Sequence, residues 1–191
     1  MEQHSYPLQR KWVIWEMWNQ SKEFGSSLDS MGEVGEFQGL HEFWQHWNYL
    51  PHANPLMLFE NPETKVKIII ESINQSIEAI GIFQDKIKPF WDDPNNKSGS
   101  SIYFEIGVGE IHRLKDIWDK LVFSLIGETL PYSEDIVGVR IVDKKCSYKY
   151  EVWCKFDGNA NRFVNKALQI KDEIKELLGV VNIQIASHSS S

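Results

Sequence analysis

The segment Tyr148–Phe156 constrains the fold of this chain more than any other. Tyr148, Tyr150, Val152, Cys154 and Phe156 alternate with Lys149, Glu151, Trp153 and Lys155. Successive side chains of a strand point to opposite faces. The first set therefore makes a core face, and the second places a tryptophan among two lysines and a glutamate. Such a ring is either covered by lysine stems or forms an aromatic wall in a polar, cationic site. A strand of this kind belongs in a sheet packed on one face and free on the other.

The rest of the chain supplies partners for that strand. Arg10–Trp18, Ser101–Val108 and Ile136–Asp143 are rich in β-formers and read as strands. Lys144–Ser147 reads as a hairpin tip. Leu40–Leu50 reads as a short helix stopped by Pro51. Ile111–Ile126 is amphipathic, with Leu114, Ile117, Leu121 and Leu125 on one stripe. Asn159–Leu178 reads as a long helix ending before Gly179, and Val180–Ala186 as a last strand. Ser21–Glu36 is polar and Gly-rich and reads as a loop. In 62–83 the first part reads as a strand. Ile73–Phe83, with Ile73, Ile77 and Ile80 at helical spacing, reads as a helix. No regular βαβ rhythm runs through these elements. The expected fold is α+β, an antiparallel sheet with helices on one face.

Composition narrows the function. The 191 residues suit one domain, with 1–5 and 187–191 as frayed ends. The net charge of −7 argues against broad nucleic-acid binding. Residues 143–166, however, carry six basic and three acidic side chains, enough to hold a small anion without gripping a long phosphate backbone. Cys146 and Cys154 fit no zinc spacing and make no disulfide framework, so no metal is expected. MEQHSYPLQR has no apolar run and no stretch approaches membrane length, so a cytoplasmic protein without a membrane partner is expected. No GxSxG, P-loop, HExxH or GxGxxG motif occurs. No catalytic residue is assigned, and the expectation is a binding protein rather than an enzyme.

Eight tryptophans are many for this length, and most should be core. Trp91 stands apart, in the aperiodic loop Pro89–Phe90–Trp91–Asp92–Asp93. It either anchors the loop or binds a ligand. An aromatic face attracts a planar cation, and an adjacent carboxylate accepts two parallel N–H groups. A 7-methylguanine offers both a delocalised positive charge and an N–H edge.

At this point the chain resembles the eukaryotic translation initiation factor 4E family, the mRNA cap-binding proteins. The resemblance lies in Tyr6–Pro7–Leu8 with Lys11–Trp12 and Trp15, then His41–Glu42–Phe43–Trp44. It continues through Ile87–Lys88–Pro89–Phe90–Trp91–Asp92–Asp93 with Asn96–Lys97. Leu125–Ile126–Gly127–Glu128, Gly138, Trp153 and Ser187–His188 complete it. It implies a curved antiparallel sheet with three main helices on its convex face and a cap site on the concave face. It implies 7-methylguanosine as ligand, as in 7-methyl-GTP, and no cofactor. Trp91 would stack on the base, Asp92 read the guanine edge, Trp153 touch the N7 methyl group, and Lys144 and Lys149 hold the triphosphate. The second stacking ring falls on Phe24, with Trp18 as the other position open. Pro7, Leu40, Trp44 and Phe123 would form a surface for a scaffold or repressor of the initiation factor 4G or 4E-binding type. The resemblance thus implies a monomer inside a larger complex, joining a capped mRNA 5′ end to that partner.

Several positions depart from the family. Phe24 stands for a tryptophan, Ser101 for a phosphate-binding arginine, and residues 54–80 form an extra segment. Asp119 and Lys120 alter the partner surface, and the family's C-terminal loop is mostly missing. A divergent member is implied, and with it an alternative: a partner-binding regulator of translation with weak or lost cap affinity. On the helix Leu40–Leu50, Phe43, Trp44 and Trp47 cannot all face one side, since adjacent residues lie about 100° apart. At least one ring should sit at the edge of the core, and the resemblance selects Trp44.

Overall fold

The computed structural model describes residues 6–18, 30–61, 63–72, 74–156 and 161–188. Seven strands form one curved antiparallel sheet: β1 Pro7–Trp18, β2 Met31–Gly39, β3 Ile77–Gln84, β4 Ser100–Gly107, β5 Ile136–Asp143, β6 Ser147–Cys154 and β7 Gln184–Ser187. Their order is β2-β1-β3-β5-β6-β4-β7. The helices are α1 Leu40–Tyr49, the single turn α2 Leu56–Phe59, α3 Leu114–Ile126 and α4 Asn161–Leu178. A 3₁₀ stretch, Val108–Arg113, leads into α3.

The alternation in Tyr148–Phe156 decides how the layers stack. Tyr148, Tyr150, Val152, Cys154 and Phe156 join the main core, with Phe43 and Trp47 of α1, Ile117, Trp118 and Leu121 of α3, and Ile170 and Ile174 of α4. A smaller cluster lies on the opposite face: Val13, Trp15, Met17, Ala79, Phe83, Val142 and Trp153. Helices therefore cover one face only. The other carries the smaller cluster and the loop between β3 and β4.

Local signals explain the element ends. The Glu42 carboxylate accepts hydrogen bonds from the backbone N–H of Gln38 and Gly39 at 2.8 and 3.2 Å. Gly39 is the N-cap of α1 and Gln38 precedes it, so the carboxylate reaches back and fastens the chain as it enters the helix. Pro51 follows α1 and cannot continue its hydrogen bonding. Gly179, at φ +61°, takes the left-handed conformation just past α4.

Two expectations are corrected. Ser21–Glu36 is not loop throughout, because Met31–Gly39 is the edge strand β2. Its glycines at 32, 35 and 39 mask the strand pattern. Nor is Ile73–Phe83 helical: from Ile77 it is strand β3, and isolated bridges alone precede it among the described residues of 62–76. Ile77 and Ile80 do share the core face, but through a bulge. Met17 pairs with Ala79, whereas Trp18 pairs with Ile77. Glu78 is thus an extra residue, and its insertion turns a period of two into an apparent spacing of three.

Candidate functional site

The loop between β3 and β4 folds back over the helix-free face. Its own polar side chains shape it. Asp93 accepts from the backbone N–H of Lys88 and Asn95 at 3.1 and 2.8 Å. The Asn96 amide donates to the carbonyls of Lys88 and Phe90 at 2.7 and 2.8 Å. His188, at the end of β7, donates from Nδ1 to the Asn96 carbonyl at 3.0 Å. Buried polar groups paired in this way fix a loop as firmly as regular structure does. The loop presents Trp91 with 62% of its surface exposed.

Beneath Trp91 lies a cleft of about 330 Å³, walled by Trp18, Trp91, Glu78, Arg140, Lys144 and Lys149, with Glu151 in its floor. A second cavity of about 250 Å³ lies toward β4 and β7, lined by Trp91, Ser101, Tyr103, Lys149 and His188. Trp91 and Lys149 border both. Trp18, the end of β1, borders this cleft with Trp91 while also packing against the main core. Phe24, the first choice from the sequence, lies outside the described residues.

Glu151 organises the floor. Its Oε2 accepts from Arg140 Nε and Nη2 at 2.7 and 2.5 Å and from Trp153 Nε1 at 2.9 Å. Its Oε1 pairs with Lys149 Nζ at 2.8 Å. Burial pushes this carboxyl up, but Arg140, Lys149 and the donated hydrogen bonds outweigh it. They hold it at about 2, well below its ordinary 4.5. Burial lowers the His188 imidazole, and Arg140 adds to that, while the bond to Asn96 and the Glu151 charge act the other way.

Trp153 is fully buried. The Arg140 guanidinium lies 4.8 Å from its ring centroid, the His188 ring 4.4 Å away, and Phe83 meets it edge-on at 5.5 Å. A side chain at Gly138 would collide with Phe83, so that glycine makes room for the contact. Trp153 thus backs the site and offers no open face to it. Lys144 lines the cleft, and Lys149 does so while paired with Glu151 and lying 4.0 Å over the Tyr103 ring. Asp92 is exposed and lines neither cavity. Sequence reasoning missed Arg140 and Glu78. Arg140 was legible, since it alternates with the core residues Val139 and Ile141. Glu78 was hidden by the bulge.

On the helix-bearing side, Trp44 is 44% exposed and its ring centroid lies 5.7 Å from that of Phe123, 40% exposed. Leu40 is exposed nearby at the start of α1, and exposed Pro7 pairs with Gly39 just before it. Phe43 and Trp47 are buried. Asp119 pairs with Lys115, and Lys120 with Asp116, along α3.

The sheet is thus covered by helices on one face and bears an aromatic, charged cleft on the other. The chain matches the family model "Eukaryotic initiation factor 4E" over residues 7–191 and belongs to that family. It is 25% identical to eukaryotic translation initiation factor 4E of Candida albicans, over 97% of this chain and 81% of that one. It is 26% identical to the Dictyostelium discoideum factor over 91% of this chain, but spans 62% of that protein's length. Its fold is similar to that of Caenorhabditis elegans eIF4E-3, solved with the 4E-binding protein Mextli and a cap analog. There the TM-score is 0.71 and the identity 19%, with 96% of this chain and 93% of that one covered. Among the described residues no helix is long and apolar enough to cross a membrane.

Proposed function

We propose that this chain binds the 7-methylguanosine cap of mRNA in the cleft between Trp18 and Trp91. We propose further that it recruits a scaffold or repressor protein of the initiation factor 4G or 4E-binding type through Pro7, Leu40, Trp44 and Phe123. One observation carries the reading: two tryptophans from separate elements line one cleft that also holds both signs of charge. In this reading Trp91 stacks on the base, with Trp18 or Phe24 opposite. Asp92, next to Trp91 on the same loop, meets the guanine edge, Lys144 and Lys149 hold phosphate, and Trp153 supports the floor. The whole chain acts as one domain, in the cytoplasm, as a binding protein without turnover of its ligand.

A titration with 7-methyl-GTP tests this. Tryptophan fluorescence is expected to be quenched, and Trp91→Ala to lose about 1–3 kcal/mol of binding, the scale of one stacked base. Undiminished binding by the variant rules out this cleft. A second reading rests on the pairing of Lys149 with Glu151 and on the burial of Trp153. Both withdraw side chains that a cap would use, and they favour a partner-binding regulator with weak cap affinity. No quenching of the wild type at millimolar 7-methyl-GTP decides for that alternative.

A further inference from the structure

We propose that Glu78 is the charge-selecting residue of the cleft, the carboxylate that favours a cationic methylated base over a neutral one. The inference rests on the cap-binding reading above and assigns its specificity. Strand alternation alone would not place Glu78 here. Ala79 faces the cleft side and Ile80 the core, so a regular strand would turn Glu78 toward the core. The bulge opposite Met17 and Trp18 inserts one residue. Ile77 returns to the core, and Glu78 and Ala79 both line the cleft. Bulges re-aim side chains in this way beside binding sites.

The charges in the cleft divide into spoken-for and free. Arg140 and Lys149 both bond to Glu151. Glu78 makes no hydrogen bond or ion pair among the described residues, although Arg140, Lys144 and Lys149 share its cavity. A half-buried carboxylate in the cleft bordered by the exposed Trp91 gains from a cation brought against that ring, because the ring face and the carboxylate attract it together. A neutral purine of the same shape gains only the stacking. Asp92, exposed and outside the lining, is less well placed to supply this charge.

The experiment measures the affinities of 7-methyl-GTP and GTP for the wild type, Glu78→Gln and Glu78→Asp at low and high salt. The wild type is expected to prefer the methylated nucleotide. Glu78→Gln should cut that preference roughly fivefold or more, as expected for one unit charge at contact-to-near-contact range in a partly wet site. It should do so by weakening 7-methyl-GTP and not by tightening GTP. Glu78→Asp keeps the charge and should keep most of the preference. Equal tightening of both nucleotides by Glu78→Gln would mean that the carboxylate only repels phosphate, and would overturn the inference. So would an unchanged ratio, and both leave the cap-binding reading standing. A wild type that binds neither nucleotide overturns the reading of the cleft and this inference with it. The melting temperature of each variant, expected to stay near wild type, separates a charge effect from unfolding.

Discussion

Trp118 and Trp153 are both fully buried, on opposite faces of one sheet, and the sheet treats them differently. Trp118 lies among aliphatic and aromatic side chains under α3, and its Nε1 donates a single neutral bond to the His52 carbonyl at 2.8 Å. Trp153 donates to a carboxylate that also holds Arg140 and Lys149, with the guanidinium over its ring. The first environment gains from removing apolar surface from water. The second spends much of its Coulomb gain on desolvating three charges. What it yields is position: Arg140 reaches from Glu151 to the Pro89 carbonyl at 3.4 Å, tying the Trp91 loop to the sheet. One face therefore holds the fold together, and the other holds a site in shape.

The largest effect should come from breaking the first face. Trp118→Ala removes a whole buried ring and its hydrogen bond, and about 3–5 kcal/mol of stability is expected to go with it. Chemical denaturation measures this. A loss below about 1 kcal/mol would mean that the helix-bearing core is not the principal source of stability.

A smaller, pH-dependent effect should come from the second face. Glu151 is held at about 2 against an ordinary 4.5, so the unfolded chain binds its proton first as pH falls. The stability from this group is fully present above about pH 4.5 and is lost as the pH drops toward 2. Glu151→Gln should cost about 1–3 kcal/mol at neutral pH, the worth of bonds to a charged group. The gap between wild type and variant should then narrow across that acid window. A gap constant from pH 7 to pH 2.5 would place the carboxylate outside the network.

The same contrast explains what the sequence made legible. Alternation in Tyr148–Phe156 located both faces because one strand carries both patterns. The stripe Leu114–Leu125 placed α3 because helix packing needs only local spacing, and Gly179 marked the end of α4. The burial of Trp153 was not legible, since its covers, Arg140 and His188, come from other strands. The role of β3 was misread because one inserted residue, Glu78, changed the period. Of the positions the resemblance assigned to the cap, Trp91, Lys144 and Lys149 line the cleft, Asp92 does not, and Trp153 is buried behind it. The bulge that brings Glu78 into the lining is recorded by no local pattern.

The smallest expected effect on stability, and the sharpest test of the division of labour, concerns a third tryptophan. Trp44 belongs by position to the helix-bearing side, so a simple two-face rule makes it core. Yet Phe43 and Trp47 take the inward directions of α1, and Trp44 is left at the rim against Phe123. Removing a ring already 44% exposed forfeits only part of its burial, and the Phe43–Phe123 contact at 6.1 Å remains to hold the helix. Trp44→Ala should therefore shift the melting temperature far less than Trp118→Ala and leave 7-methyl-GTP affinity unchanged. An exposed aromatic beside Leu40 and Phe123 is, however, a good anchor for an apolar helical segment. In the reading proposed above, binding of a partner of the 4E-binding type, titrated directly, should fall at least tenfold, about 1.4 kcal/mol. If the variant instead unfolds like Trp118→Ala, Trp44 is core. If it folds and still binds the partner as well as the wild type, the partner surface lies away from α1.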